Sequence, residues 1–312
     1  DSGPILYDSR PPVRYHQAHI PGSLSLPSSE GKNDENDIKM LGLLPKDKTR
    51  PIIFYCGGPT RGFAAHAAEV ALKNGYTDVS VYYEGYPGWR EAEMAFASSP
   101  KTLKEGNIIL VDLRSQKAYE AGHIPRALNI PAEKFSQLPE KAFPDFKDAP
   151  FVFYGDDFSK INAAVEQMRD FNFANATFFP GGTERWKKLG NQLETGTKPV
   201  PDRIVYVRKL APHEVSIADF KKSIGNISVM IIDARTKDEF ALGAISGAVN
   251  IPCDDMPKRY TEVPKDKPVY LYCANGARSD IAYEFLKDKG YTNVKLLKAT
   301  VNFVNNGFTI TD

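Results

Sequence analysis

An α/β protein of three tandem domains, each a mainly parallel sheet with helices on both faces, is the fold the sequence predicts, and three recurring elements carry that prediction. The first is a short apolar, β-prone run ending in Asp-x-Arg: Ile5-Leu6-Tyr7-Asp8-Ser9-Arg10, Ile109-Leu110-Val111-Asp112-Leu113-Arg114 and Ile231-Ile232-Asp233-Ala234-Arg235. Continuous apolar runs of this kind are what parallel strands buried on both faces look like. The second is His19-Ile20-Pro21-Gly22-Ser23, His123-Ile124-Pro125-Arg126-Ala127 and Ala244-Ile245-Ser246-Gly247-Ala248, each leading into a stretch that ends in proline, at Pro27, Pro131 and Pro252. The third is Ile52-Ile53-Phe54-Tyr55-Cys56, Phe151-Val152-Phe153-Tyr154-Gly155 and Val269-Tyr270-Leu271-Tyr272-Cys273, and each opens a helical pattern. Strands alternating with helices require crossover connections, hence a parallel sheet.

The remaining elements follow the same plan. Ala282, Phe285 and Leu286 stand at helical spacing before Lys289-Gly290, a helix with a glycine stop. Each copy then closes with a further strand and a turn, led by Val79-Ser80-Val81-Tyr82, Thr177-Phe178-Phe179 and Val294-Lys295-Leu296-Leu297. Trp89 and Trp186 are expected to fill the core under that turn, with Phe303 in the third copy. Pro212-His213-Glu214-Val215 through Phe220-Lys221-Lys222 reads as a helix ahead of Ile231, and Ser28 to Asp37 as a solvated loop. Breaks near Ser98-Ser99-Pro100 and Thr195-Gly196-Thr197-Lys198-Pro199 put the domains at residues 1–98, 99–198 and 199–312.

Composition narrows the function classes. In 312 residues there are 40 basic and 39 acidic side chains, a net charge of +1, which gives no reason to expect a nucleic acid or an anionic membrane as partner. No run is long enough to span a bilayer. Three cysteines, Cys56, Cys253 and Cys273, argue against a disulfide framework, and with no Cys-x-x-Cys pair a zinc site is not expected. The chain begins at Asp1, inside a motif, so something upstream is expected to have been removed, which puts a periplasmic or exported location ahead of a cytoplasmic one.

Asp-x-Arg, then His-Ile-Pro-Gly, then Tyr-Cys, then Gly-Gly-x-x-x-Trp, in fixed order and repeated three times, resembles the rhodanese homology domain over nearly the whole chain. The resemblance implies three tandem rhodanese-type domains, the first without the strand and helix that usually precede its Asp-x-Arg strand. It also implies a sulfurtransferase that carries sulfane sulfur as a cysteine persulfide, with no metal and no organic cofactor. Its partners would be a small sulfur-containing anion such as thiosulfate and a thiol or cyanide acceptor, a protein sulfur acceptor included. The other reading is a non-catalytic scaffold that binds sulfur or selenium species, or other oxyanions, and docks a partner.

The candidate nucleophile is Cys273, at a strand end with Ala274, Asn275, Gly276 and Ala277 leading into a helix. A loop curling into a helix N-terminus aims backbone N–H groups and the helix dipole at the sulfur, favouring thiolate over thiol. Arg278 is expected to return over this cradle and hold an oxyanion in its planar fork. Four residues separate Cys273 from Arg278, and four separate Cys56 from Arg61. The related phosphatase loop has one residue more and fits phosphate, so the spacing here favours sulfur chemistry. Around Cys56 the donor would meet Gly57, Gly58 and Arg61, but Pro59 removes one N–H. In the middle copy Gly155 replaces the nucleophile and is followed by Asp156 and Asp157, which would repel an anion.

Cys253, beside Asp254 and Asp255, reads as an ordinary thiol unless it approaches Cys273 as a resolving group. The Asp-x-Arg pairs persist in the copy without a nucleophile, so they read as structural ion pairs. His19 and His123 are demoted likewise, since the third copy has Ala244 there.

Overall fold

The structure, a computed structural model, describes residues 3–29, 34–58, 62–198, 202–304 and 307–311. The first repeat runs β1 (Ile5–Asp8), α1 (Pro12–Gln17), β2 (Leu24–Ser25), α2 (Asp34–Leu43), β3 (Ile52–Tyr55), α3 (Phe63–Lys73), β4 (Val79–Tyr82) and α4 (Gly85–Glu91). The second runs α5 (Pro100–Glu105), β5 (Ile109–Asp112), α6 (Gln116–Ala121), β6 (Leu128–Asn129), α7 (Ala132–Phe135), β7 (Phe151–Tyr154), α8 (Phe158–Asp170), β8 (Ala176–Phe178) and α9 (Gly182–Lys188). The third runs α10 (Ile217–Ser223), β9 (Met230–Asp233), α11 (Lys237–Ala241), β10 (Val249–Asn250), α12 (Met256–Arg259), β11 (Val269–Tyr272), α13 (Ala277–Asp288), β12 (Val294–Leu296), β13 (Thr300–Val304) and β14 (Gly307–Thr311).

All three four-stranded sheets share one order, β2-β1-β3-β4, β6-β5-β7-β8 and β10-β9-β11-β12. Every pairing within them is parallel. The predicted α/β architecture is therefore present three times. Its strands are short and rich in Ile, Val, Phe and Tyr because both faces are buried, as β5 and β7 are at every position.

A buried polar cluster ends the two central strands of each sheet. Arg10 grips Asp8 with Nε at 2.9 Å and Nη2 at 2.6 Å, and Nη2 also donates to the carbonyl of Ala18. The hydroxyl of Tyr55, the last residue of β3, donates to Asp8 at 2.7 Å and accepts from the N–H of Ile20. Arg114, Asp112 and Tyr154 repeat this arrangement, as do Arg235, Asp233 and Tyr272. An aspartate with no exposed surface is tolerable because the guanidinium, the hydroxyl and a backbone N–H saturate its oxygens. The predicted structural role of the Asp-x-Arg pairs is what these contacts provide.

The sheets differ at one edge. Phe178 of β8 pairs with residues 96–98, donating to the Phe96 carbonyl and accepting from the Ser98 N–H. Leu296 of β12 pairs likewise with His213 and Val215. Val81 holds the matching place on β4, and no described segment pairs with that edge. Leu6, Ile53 and Tyr82 are accordingly only half-buried, where Leu110, Val152 and Phe179 are buried under Leu103 of α5.

Compactness divides the chain into residues 1–207 and 208–312. Within the first unit the Ser98–Pro100 junction is not a slack connector. Ser98 is buried and bonded to Gln17 and Thr177, and the side chain of Ser99 caps α5. Residues 202–207 pack on the middle sheet through Ile204, and Tyr206 exchanges hydrogen bonds with Asn107.

Three local expectations are corrected. The segment before Ile231 becomes helical only at Ile217, because Ser216 caps it and residues 213–215 serve as an edge strand. The polar stretch ending at Asp37 opens helix α2 from Asp34 onward, and residues 30–33 lie outside the described residues. Where the first and second repeats close with α4 and α9, the third closes with the antiparallel hairpin β13–β14. There Phe303 lies 4.0 Å over the guanidinium of Arg235, the place Tyr86 takes over Arg10 at 4.3 Å, so it matches that tyrosine and not the tryptophans. Among the described residues no helix is long and apolar enough to cross a membrane.

Removing Arg10 strands a fully buried carboxylate. Arg10→Ala is expected to cost about 3–5 kcal/mol, read as a lowered urea midpoint for the unit that contains it.

Candidate active site

Strand alternation places the candidate nucleophile. Tyr272 ends β11 with its ring in the core on one face, so Cys273 turns to the core on the other, with no exposed surface. Backbone from Ala274 to Ala277 then curls into the 12-residue helix α13. Gly276 has φ +85°, and a Cβ there would sit 3.2 Å from the Cα of Lys298, so the turn needs glycine. The Asn275 side chain accepts from the N–H of Ala277 at 3.2 Å. The carbonyl of Ala274 accepts from Val301, which ties the loop to β13. Ser279 lies 3.7 Å from the sulfur and donates to the carbonyl of Gly276.

The charge of Arg278 is held chiefly by its hydrogen bond to Glu239, with Cys273 a lesser partner. The Arg278 fork is thus not open. Nη2 donates to Oε1 of Glu239 at 2.8 Å and Nη1 to Oε2 at 2.5 Å. That guanidinium is the main cause that holds the Glu239 carboxyl down at about 2. Glu239 also completes a capping box with Thr236 at the start of α11. The box is readable in the sequence as Thr236-x-x-Glu239; the pairing with Arg278, 39 residues on, is not.

The first repeat builds a related loop. Cys56 is buried, and its thiol donates to the carbonyl of Gly58 at 3.7 Å. Gly57 and Gly58 follow it, Gly58 with φ +105°. A Cβ on Gly85 would fall 2.4 Å from the carbonyl oxygen of Cys56, so the closing turn presses directly on the loop. Pro59, Thr60 and Arg61 lie outside the described residues.

In the middle repeat the same place is self-satisfied. The side chain of Asp157 accepts from the N–H groups of Ser159 and Lys160, the donors that begin α8. A cleft of about 1130 Å³ opens beside Gly155, with Asp156, Asp157 and Lys160 in its wall. No cysteine is among the residues that line it.

The other sequence candidates take lesser places. Cys253 is half-buried, and its N–H donates to Ala234, whose own N–H donates to Tyr272. It therefore stands at the same rim of the sheet as Cys273, across the intervening strand. Burial pushes His19 down to about 4, and both His19 and His123 bond through Nδ1 to a backbone carbonyl four residues back and stack on a tyrosine. They are packing groups. Trp186 is buried and Trp89 half-buried, each donating its indole N–H to a carbonyl six residues on.

Three parallel sheets of one order, each presenting a strand-to-helix loop at the same rim, define a tandem α/β protein with loop-borne cysteines. The chain belongs to the rhodanese-like domain family, whose model matches residues 1–92, 100–189 and 216–302. It is similar to the uncharacterized protein YqhL of Bacillus subtilis, 43% identical over 74 residues, which is 24% of this chain and 59% of that protein. It is also similar to a sulfurtransferase of Allochromatium vinosum, 40% identical over 73 residues, 23% of this chain and 68% of that one. A third relative, named "Putative thiosulfate sulfurtransferase", from Saccharopolyspora erythraea, is 25% identical over 231 residues, 57% of this chain and 80% of that one. The family is that of the rhodanese-type sulfurtransferases.

With its sulfur sealed, Cys273 is expected to resist a bulky maleimide in the native protein, as is Cys56, while Cys253 labels first. Peptide mass mapping after a short exposure checks the order; early labelling of Cys273 would contradict a closed cradle.

Proposed function

We propose that the chain moves sulfane sulfur from thiosulfate or a similar donor to a thiol or cyanide through a persulfide on Cys273. One observation carries the reading: a buried cysteine at the base of a loop that turns into the N-terminus of α13, with the charge of Arg278 beside it. In the first half-reaction the Cys273 thiolate attacks the outer sulfur of thiosulfate. An S–S bond forms to the cysteine, the donor's S–S bond breaks, and sulfite leaves with that electron pair. In the second, cyanide or a thiolate attacks the outer persulfide sulfur and the Cys273 thiolate is released. The charged groups balance at each step, so no proton acceptor is required.

Backbone N–H groups of Ala274, Asn275 and Gly276 surround the entering sulfur in this reading, while that of Ala277, also expected to serve, is held by the Asn275 side chain. Cys56, with Gly57, Gly58 and Arg61, forms a second and less complete site. The middle repeat is a structural copy, since Asp157 already occupies the helix N-terminus that an anion would use.

Incubation with thiosulfate followed by intact mass is expected to add one sulfur atom at Cys273. In a chain that already carries Cys56→Ser, adding Cys273→Ser should remove that addition and lower thiocyanate formation from cyanide by at least about 10³-fold. Persistence of both in that double variant would sink the assignment.

The middle copy offers a separate check. A Cβ at Gly155 meets nothing closer than 3.6 Å, so Gly155→Cys should fold with stability within about 1 kcal/mol of the parent. In a chain lacking Cys56 and Cys273 that new thiol is expected to take up no sulfur, because Asp157 holds the donors. Uptake there would show that the cap is no barrier.

A further inference from the structure

The fork of Arg278 is spent on Glu239, and this sets the electrostatics at the mouth of the Cys273 loop. Both Nη atoms face the carboxylate, and the side chains of the pair are 32% and 37% exposed, so the pair is within reach of solvent. The carboxylate is fixed from its other side too. Its Oε2 accepts from the N–H and the hydroxyl of Thr236, each at 3.0 Å. A negative charge is thereby anchored one guanidinium away from the nucleophilic sulfur, and Arg278 is left as one half of a neutral pair.

The fold does not require an acid at this position. In every repeat the arginine of Asp-x-Arg donates to a carbonyl eight residues on, at Ala18, Gly122 and Gly243. That equal spacing fixes the register of the three segments without a gap. Counted from Arg10, Arg114 and Arg235, the place of Glu239 is held by Arg14 in the first repeat and by Ala118 in the second. Only the third repeat puts a carboxylate there, and that carboxylate reaches the arginine of its own cysteine loop.

We propose that Glu239 is a specificity-determining residue that makes the Cys273 site prefer a singly charged sulfane-sulfur donor to a doubly charged one. The inference rests on Cys273 being the sulfur carrier. A thiosulfonate, R–SO2–S⁻, delivers the same sulfur as thiosulfate with one negative charge fewer. Attack by the Cys273 thiolate forms the same persulfide and expels a sulfinate instead of sulfite, with charge conserved. The second charge of thiosulfate meets the Glu239 carboxylate, which offsets most of the attraction of the guanidinium.

The test uses the full chain carrying Cys56→Ser, so that one loop reports. Cyanide-dependent thiocyanate formation is measured with methanethiosulfonate and with thiosulfate, with and without Glu239→Gln. Glutamine keeps the capping box, in which Gln serves as well as Glu. The ratio of kcat/KM for the monoanion to that for the dianion should fall by about tenfold in Glu239→Gln, mainly through KM for thiosulfate, the size expected for one partly screened charge pair. Glu239→Asp retains the charge and should stay within about twofold of the parent ratio, and the Gln effect should shrink as salt is raised. An unchanged ratio in Glu239→Gln overturns the proposal, as does an equal loss with both donors, the mark of a structural role alone. If neither donor adds sulfur to Cys273 by intact mass, the carrier assignment itself is wrong and this inference goes with it.

Discussion

The interaction on which everything else in each repeat hangs is the buried pair of aspartate and arginine with a tyrosine hydroxyl closing it. Isolated carboxylates are very costly to bury, so the cluster persists only where three chain segments converge in one geometry. Those segments are the end of the first central strand, the connection that follows it, and the last residue of the neighbouring strand. The tyrosine is the residue immediately before Cys56, Gly155 or Cys273. Pinning its hydroxyl fixes where the strand ends and which face the next side chain takes. The position of the sulfur is thus a consequence of a polar cluster on the opposite face of the sheet.

On that shared frame the three loops have been tuned apart by few side chains. The middle copy fills its helix N-terminus with Asp157, an internal anion that removes any need for an external one. The first copy keeps a thiol but has its loop clamped by the closing turn at Gly85. In the third copy β13 braces the loop instead, through the bond from Val301 to Ala274. Family membership accounts for the frame, while these local differences account for the chemistry proposed at one rim and not at another.

Much of this was legible in the sequence because the signals are local. Ile109 to Asp112 and Phe151 to Tyr154 read as buried parallel strands, and they are. The helix after Cys273 was marked by its own apolar spacing and its glycine stop, and α13 with Gly290 at φ +80° agrees. What was missed depends on residues far apart in the chain. Arg278 was expected to offer its fork to an oxyanion, since nothing near it announces that Glu239 claims both prongs. Phe303 was matched to the tryptophans by order in the chain, whereas its place over Arg235 is decided by the hairpin that carries it. Ser98-Ser99-Pro100 has the composition of a connector, and only the open edge of β8 makes it a strand and a cap.

That short segment has a further consequence. Ala97 exchanges two backbone hydrogen bonds with His19 of the first repeat, while its neighbours bond Phe178 of the second. One stretch of chain is therefore bonded at once to the β1–β2 connection of the first repeat and to the edge strand β8 of the second, and it cannot leave one without disturbing the other. The first two repeats should behave as a single cooperative block, in which slow amide exchange at His19 and at Phe178 is lost together, although their cores are separate and their chemistry is not shared.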